Sequence, residues 1–208
     1  MPLYKTFTPN SQTTVKIWKI TESYDDLLKP LDLKPNSLER VLGMKSEWHQ
    51  RGFLCARHIL RDLGYTDQDL FYDYNGKPHL KDGKCISITH SFLFVGVIVS
   101  DAEVGIDIEM QREKIARIAP KFIDYEFNYL DENDIDYIKK LTAIWCVKES
   151  LYKLYATPGL SFKKHCLVIP FNINDNETVA WIDYKTKKHR YNIQFLEFEG
   201  FTCAYAIT

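Results

Sequence analysis

The sequence predicts an α/β protein of the α+β type, made of two halves of similar size. Three observations carry this. Short β-branched or alternating apolar runs occur in both halves of the chain. Longer segments with apolar residues at helical spacing stand between them. A turn-forming stretch, SDAE at 100–103, falls near the middle and divides the chain into 1–102 and 103–208. A length of 208 residues suits one larger domain or two of about 100 each.

The elements follow in order. VKIWKI (15–20) alternates and predicts a strand. Residues 36–63 carry Leu38, Leu42, Trp48, Phe53, Leu54, Ile59, Leu60 and Leu63 at roughly helical spacing, which predicts one helix, stopped by Gly64. DYNGKP (73–78) is dense in turn residues. CISIT (85–89) and FLFVGVIVS (92–100) predict two strands joined by a tight turn at His90-Ser91. SDAE then leads into VGIDIEM (104–110), and the three strands read as a β-meander whose third member carries the acids. Residues 113–119, 122–130 and 132–155 predict helices, the last ended by Thr157-Pro158-Gly159. HCLVIP (165–170), TVAWIDY (178–184), RYNIQFLEF (190–198) and FTCAYAIT (201–208) predict strands.

Composition excludes several classes. Hydrophobic residues make up 45% and charged residues 26%, ordinary for a globular chain with a sizeable core. Net charge is −1, from 27 basic and 28 acidic residues, so no basic field points to a nucleic-acid partner. The five cysteines form no CxxC pair and sit among apolar neighbours, which reads as buried reduced thiols. The N-terminal stretch lacks a signal-peptide pattern, and the longest apolar run is far too short for a membrane helix. The expectation is a cytoplasmic protein with no membrane partner.

Three groups of residues could carry chemistry. In VGIDIEM, Asp107 and Glu109 lie two apart, so a strand points both carboxylates the same way. That reads either as a solvated strand face or as a site for a hard divalent cation such as Mg²⁺. In WCVKESLYKLY (145–155), Trp145, Glu149 and Lys153 form one i, i+4, i+8 row on a helix. It reads as a surface ion pair worth about 0.3 kcal/mol, or as charges held along the rim of an apolar face, where they need partners. In GKPHL (76–80) and ISITHSF (86–92), Lys77, Thr89 and His90 read as polar turn residues or as an anion-holding set.

The order and spacing of these groups resemble the 4′-phosphopantetheinyl transferases, of the larger pseudo-dimeric class that includes the surfactin-synthetase-activating enzyme. The matching strings are Gly105-Ile106-Asp107-Ile108-Glu109 and Trp145-Cys146-Val147-Lys148-Glu149-Ser150-Leu151-Tyr152-Lys153, with Asp107 and Glu149 42 residues apart. Upstream stand Gly76-Lys77-Pro78 and Ser87-Ile88-Thr89-His90-Ser91, and the matches run from about residue 48 to 160.

The resemblance implies two similar α/β halves in pseudo-twofold arrangement around a central cleft, and a monomer. It implies Mg²⁺-dependent transfer of the phosphopantetheine arm of coenzyme A to a serine of an acyl or peptidyl carrier protein, with adenosine 3′,5′-bisphosphate as the other product. By the same resemblance Asp107, Glu109 and Glu149 hold the metal. Glu149 is the candidate base, Lys153 stabilises the leaving phosphate, and Thr89, His90, Lys77 and Arg51 contact coenzyme A, with Lys148 as a further phosphate contact. The sequence departs from the family pattern at Thr89, where a serine is usual. It also departs at Asn36 and Glu39, near the usual basic pair, for which Arg40 or Lys45 could substitute. At Thr157-Pro158-Gly159-Leu160-Ser161 a lysine is missing from the usual run. Two alternatives stay open: a Mg²⁺-dependent phosphoryl hydrolase, and a coenzyme A- or carrier-binding protein without catalysis.

Overall fold

The computed structural model describes residues 3–208. Its contacts divide the chain into two compact units, Met1–Ala102 and Glu103–Thr208.

The first unit opens with strands β1 (Leu3–Asn10) and β2 (Thr13–Lys19). Helices α1 (Tyr24–Leu28), α2 (Pro35–Leu42) and α3 (Glu47–Asp62) follow. Then come the short strands β3 (Leu70–Tyr72) and β4 (Pro78–Leu80), and the longer β5 (Cys85–Ser91) and β6 (Phe94–Ser100). The main sheet has the order β1-β2-β6-β5, every neighbouring pair antiparallel. α3 lays Leu54, Cys55, Ile59 and Leu60 into a core with Val95, Val97 and Trp18 of the sheet.

Two expectations need correction here. The stretch 36–63 is two helices, interrupted at residues 43–46. The apolar stripe that suggested one helix is not continuous, because Leu38 and Leu42 are exposed and α2 buries Val41 instead. The Gln50 amide of α3 donates to the Val41 carbonyl at 3.1 Å, satisfying an acceptor that a continuing helix would have used. The β5–β6 turn falls on Phe92-Leu93, not on His90-Ser91. Pairing runs on through His90↔Val95 and Ser91↔Phe94, and Phe92 takes the positive φ of 48°.

The second unit begins with β7 (Val104–Met110) and the short α4 (Lys114–Ile118). The long α5 (Tyr137–Tyr155), α6 (Phe162–His165) and strands β8 (Cys166–Val168), β9 (Glu177–Tyr184), β10 (Lys187–Phe198) and β11 (Phe201–Ile207) complete it. Its sheet has the order β7-β11-β10-β9-β8, again antiparallel throughout. α5 packs on this sheet. Leu141, Ile144, Val147 and Leu151 share a core with Ile182, Ile193, Phe195, Ala204 and Ala206.

So β7 is not the third strand of a meander. The free edge of β6 is taken by β2, with Ile17 opposite Gly96, and β7 leads a different sheet. Apolar alternation marks a strand but not its neighbour. The helix expected over 122–130 is only a 3-10 turn at Tyr125–Asn128, and α5 begins at Tyr137 rather than at 132. Asp131 and Asp134 explain the late start. Their carboxylates accept the backbone N–H groups of Asn133 and Asp136 at 2.9 and 3.0 Å, building turns in competition with helix. β1, α1, α6 and the β3–β4 hairpin were not foreseen.

Four of the five cysteines are buried and Cys85 partly so. No helix of the described residues is long and apolar enough to cross a membrane.

Candidate active site

β7 puts Gly105, Asp107 and Glu109 on one face. That face lies under α5. A Cβ at Gly105 would fall 1.8 Å from the Ser150 carbonyl oxygen and 3.0 Å from the Leu154 nitrogen, both backbone atoms of the helix. Only glycine lets strand and helix come this close. The neighbouring strand contributes small side chains as well. Ala206 pairs with Gly105, Ala204 with Asp107 and Thr202 with Glu109. The solvated-face reading of Asp107 therefore fails: the residue is 4% exposed.

A buried carboxylate needs partners. Lys153, near the C-terminal end of α5, gives one N–H to Asp107 Oδ1 at 2.8 Å and another to the Ile106 carbonyl at 3.0 Å. Glu149 lies one helical turn earlier on the same row and is half-buried. Burial, then the Asp107 charge, pushes its carboxyl up to about 7, and Glu109 adds to the rise; the Lys153 ammonium works the other way. The sequence row of Trp145, Glu149 and Lys153 thus sits above the strand that carries the acids. Among the described residues, no three His, Cys, Asp or Glu side chains are gathered as a ready-made metal cluster. The donor set itself suits a hard cation: Asp107, Glu109 and Glu149 offer only carboxylate oxygens. Their mutual repulsion, which raises Glu149, is what a divalent charge relieves.

Cys146, one turn before Glu149, is no nucleophile. Burial holds its thiol well above the ordinary value, and its Sγ lies 3.4 Å from the Thr202 carbonyl oxygen. Trp145 meets the ring of Phe122 at 4.9 Å and that of Phe162 at 5.6 Å, both edge to face, and Phe162 also meets Tyr152.

Lys148 requires a correction. It is 0% exposed, and its ammonium is held by Glu126 at 2.7 Å and by the Phe122 and Phe162 carbonyls. These acceptors take its three N–H groups, so Lys148 offers nothing to a phosphate.

The first unit holds the other candidates. His90, at the end of β5, is exposed, and its ring packs over α3: a Cβ on Gly52 would lie 3.2 Å from the His90 Cδ2. His49 meets the same ring edge to face at 5.4 Å. Arg51, next along α3, lies over the Trp48 ring at 4.8 Å, and its Nε is buried with no hydrogen-bond partner among the described residues. Thr89 and His90 are neighbours on a strand, so their side chains leave on opposite faces, and Thr89 is 5% exposed. The structure therefore does not turn these two toward one ligand. Lys77 sits in the β3–β4 turn after Gly76, whose φ is 82°, and its backbone N–H donates to Asp73 Oδ1 at 2.9 Å. Arg40 lies over the Tyr72 ring at 4.9 Å.

The packing roles of Gly105, Gly52, Ala204 and Ala206 and the His49–His90 contact were missed in the sequence. A glycine or alanine opposite a charged residue is the signal that could have found the first of these.

A helix thus lies against an acid-bearing strand through glycine and alanine, with one row of Glu and Lys above it. Residues 103–206, nearly all of the second unit, match the model of the 4′-phosphopantetheinyl transferase superfamily, and the chain belongs to that superfamily. Among curated proteins it is similar to 4′-phosphopantetheinyl transferase gsp of Aneurinibacillus migulanus, 27% identical over 73% of this chain and 64% of that one. It is also similar to enterobactin synthase component D of Salmonella typhi, 31% identical over 52% of this chain and 47% of that one. The same component of Salmonella typhimurium is 31% identical over 56% of this chain and 52% of its own length. The chain thus spans about half to just under two thirds of the relatives it matches.

Proposed function

We propose that this chain transfers the 4′-phosphopantetheine group of coenzyme A to a serine of an acyl or peptidyl carrier protein, with Mg²⁺, leaving adenosine 3′,5′-bisphosphate. The observation that carries this reading is the close approach of α5 to β7 at Gly105, which sets Glu149 and Lys153 above Asp107 and Glu109.

Asp107, Glu109 and Glu149 would hold the metal, whose charge would neutralise the diphosphate of coenzyme A. The chain's own residues then have distinct tasks. Glu149, directly or through a water, takes the proton of the carrier serine as its oxygen attacks phosphorus. The bond to the adenosine bisphosphate breaks as the new one forms. Lys153 steadies the charge growing on the leaving phosphate. Asp107 and the Ile106 carbonyl occupy two of its three N–H groups, which leaves one to give among the described residues. By the family resemblance His90, Lys77, Arg51 and Thr89 would contact coenzyme A.

The direct test is a labelling assay with Mg²⁺, fluorescent coenzyme A and separate acyl and peptidyl carriers. Label on a carrier, lost in chelator, is the expected result. Release of phosphate or nucleotide without any carrier would favour a hydrolase, and no turnover with coenzyme A still bound would favour a binding protein. Lys153→Ala is expected to lower kcat while leaving KM for coenzyme A nearly unchanged; a raised KM at constant kcat would contradict the leaving-group role.

Glu149 gives a pH prediction. Its folded pKa, about 7, lies above the ordinary value of 4.5 for a free glutamate. The folded chain therefore binds more protons than the unfolded one between those values. The Glu149 contribution to stability is full below 4.5 and declines as pH rises toward 7. Mg²⁺ needs the ionised carboxylate, so metal affinity should run the opposite way, rising with pH up to about 7 with proton release. Calorimetry in two buffers of different ionisation heat measures that proton. Glu149→Gln should abolish it, and an equal release from this variant would refute the assignment.

A further inference from the structure

We propose that Lys148 and Glu126 form a buried clamp that positions Trp145 and Glu149 on α5. The kinetic part of its test rests on the transferase reading; the structural part does not.

The geometry is closed on both sides. Lys148 gives its three N–H groups to Glu126 Oε1 at 2.7 Å, the Phe122 carbonyl at 2.8 Å and the Phe162 carbonyl at 3.2 Å. Glu126, itself 0% exposed, also accepts the Val168 N–H at 2.9 Å on Oε1 and the Asp124 N–H at 3.1 Å on Oε2. One ion pair therefore ties residues 122–126, the start of α6 and strand β8 to the middle of α5. Such a pair is weak evidence for stability, since its desolvation offsets its attraction. Its effect is positional. The two carbonyls it grips belong to Phe122 and Phe162, and their rings stand edge-on to Trp145 on the catalytic row. Trp145 precedes Glu149 by one turn, so the ring packing that the clamp fixes borders the proposed base. Lys148 touches no substrate in this scheme; it acts through its neighbours and is a positioning residue.

The test compares Lys148→Met, Glu126→Gln and the double variant in the full chain. Amide hydrogen exchange should quicken at residues 122–126 and 162–168 in each single variant. The kcat for carrier labelling should fall about 10- to 100-fold, with coenzyme A affinity by calorimetry held within about threefold. The double variant, which leaves no unpaired buried charge, should recover part of the rate lost in Lys148→Met. Three results would overturn the clamp. One is unchanged exchange in both single variants. Another is coenzyme A affinity falling tenfold or more in Lys148→Met but not in Glu126→Gln, the signature of a phosphate contact. The third is kcat and affinity falling together in step with lost thermal stability, the signature of simple unfolding. If Lys148→Met does not fold, Glu126→Gln and the neutral double variant carry the same readouts. If the unaltered chain labels no carrier, the transferase reading fails while exchange still decides the clamp.

Discussion

Asp107→Ala is expected to slow the proposed transfer by about 10³-fold or more, while the chain still folds. The rate estimate comes from charge. On the proposed reading, loss of a carboxylate ligand would remove several kcal/mol of phosphoryl stabilisation, about 4 kcal/mol, and each 1.36 kcal/mol is tenfold. The stability estimate comes from burial. Breaking a fully buried pair costs about 3–5 kcal/mol because a charge is stranded. Here the stranded partner is Lys153, whose side chain is 28% exposed, so its ammonium can turn to water and keep the Ile106 carbonyl. The structural cost is then well below that range. Activity and Mg²⁺ affinity should collapse together while the unfolding midpoint moves little. Full activity in Asp107→Ala would end the metal assignment. Asp107→Asn, which keeps the shape and removes the charge, should behave the same way if charge is what matters.

Gly105→Ala should do the reverse and break the framework first. The added methyl would sit 1.8 Å from Ser150 O and 2.8 Å from its carbonyl carbon, and neither backbone atom can rotate away as a side chain can. β7 or α5 must shift. Overpacking of this kind costs about 3 kcal/mol or more, which for a chain of this length is about 6–12 °C in Tm. The matched control is Gly52→Ala, where the nearest atom is the His90 ring at 3.2 Å and a small tilt relieves the contact. Equal melting temperatures for Gly105→Ala and the unaltered chain would show that helix and strand leave room for a methyl group and would overturn the close approach at Gly105.

The residues of the second unit were legible because their spacing matched their geometry. Trp145, Glu149 and Lys153 lie on one row, as a period of 3.6 requires, and Asp107 and Glu109 share a face, as a period of two requires. The misreadings came from treating neighbours in sequence as neighbours in space. Lys148 adjoins Glu149 in the chain but leaves the helix about 100° away, and it enters the interior instead of the site. Thr89 and His90 likewise adjoin in the chain but leave opposite faces of a strand. The partner of β7 was not legible at all, because alternation says which side of a strand is apolar and nothing about which strand lies beside it. The delayed start of α5 was written in Asp131 and Asp134, whose short carboxylates favour turns, but their local pull was outweighed by the apolar pattern that follows.

The place of β11 between β7 and β10 sets an order of assembly. β8, β9 and β10 can form by short-range pairing as the chain emerges. β7 cannot, since in this sheet its only neighbour is β11, and Asp107 waits for Ala204, 97 residues later in the sequence. Closing so long a loop is entropically costly and slow relative to a hairpin. The strand that bears the acids is thus the last to be enclosed. A nascent chain carries its helix and hairpins well before it carries a site, and slowing the arrival of β11 would prolong an inactive, half-built state with the edge of β10 exposed.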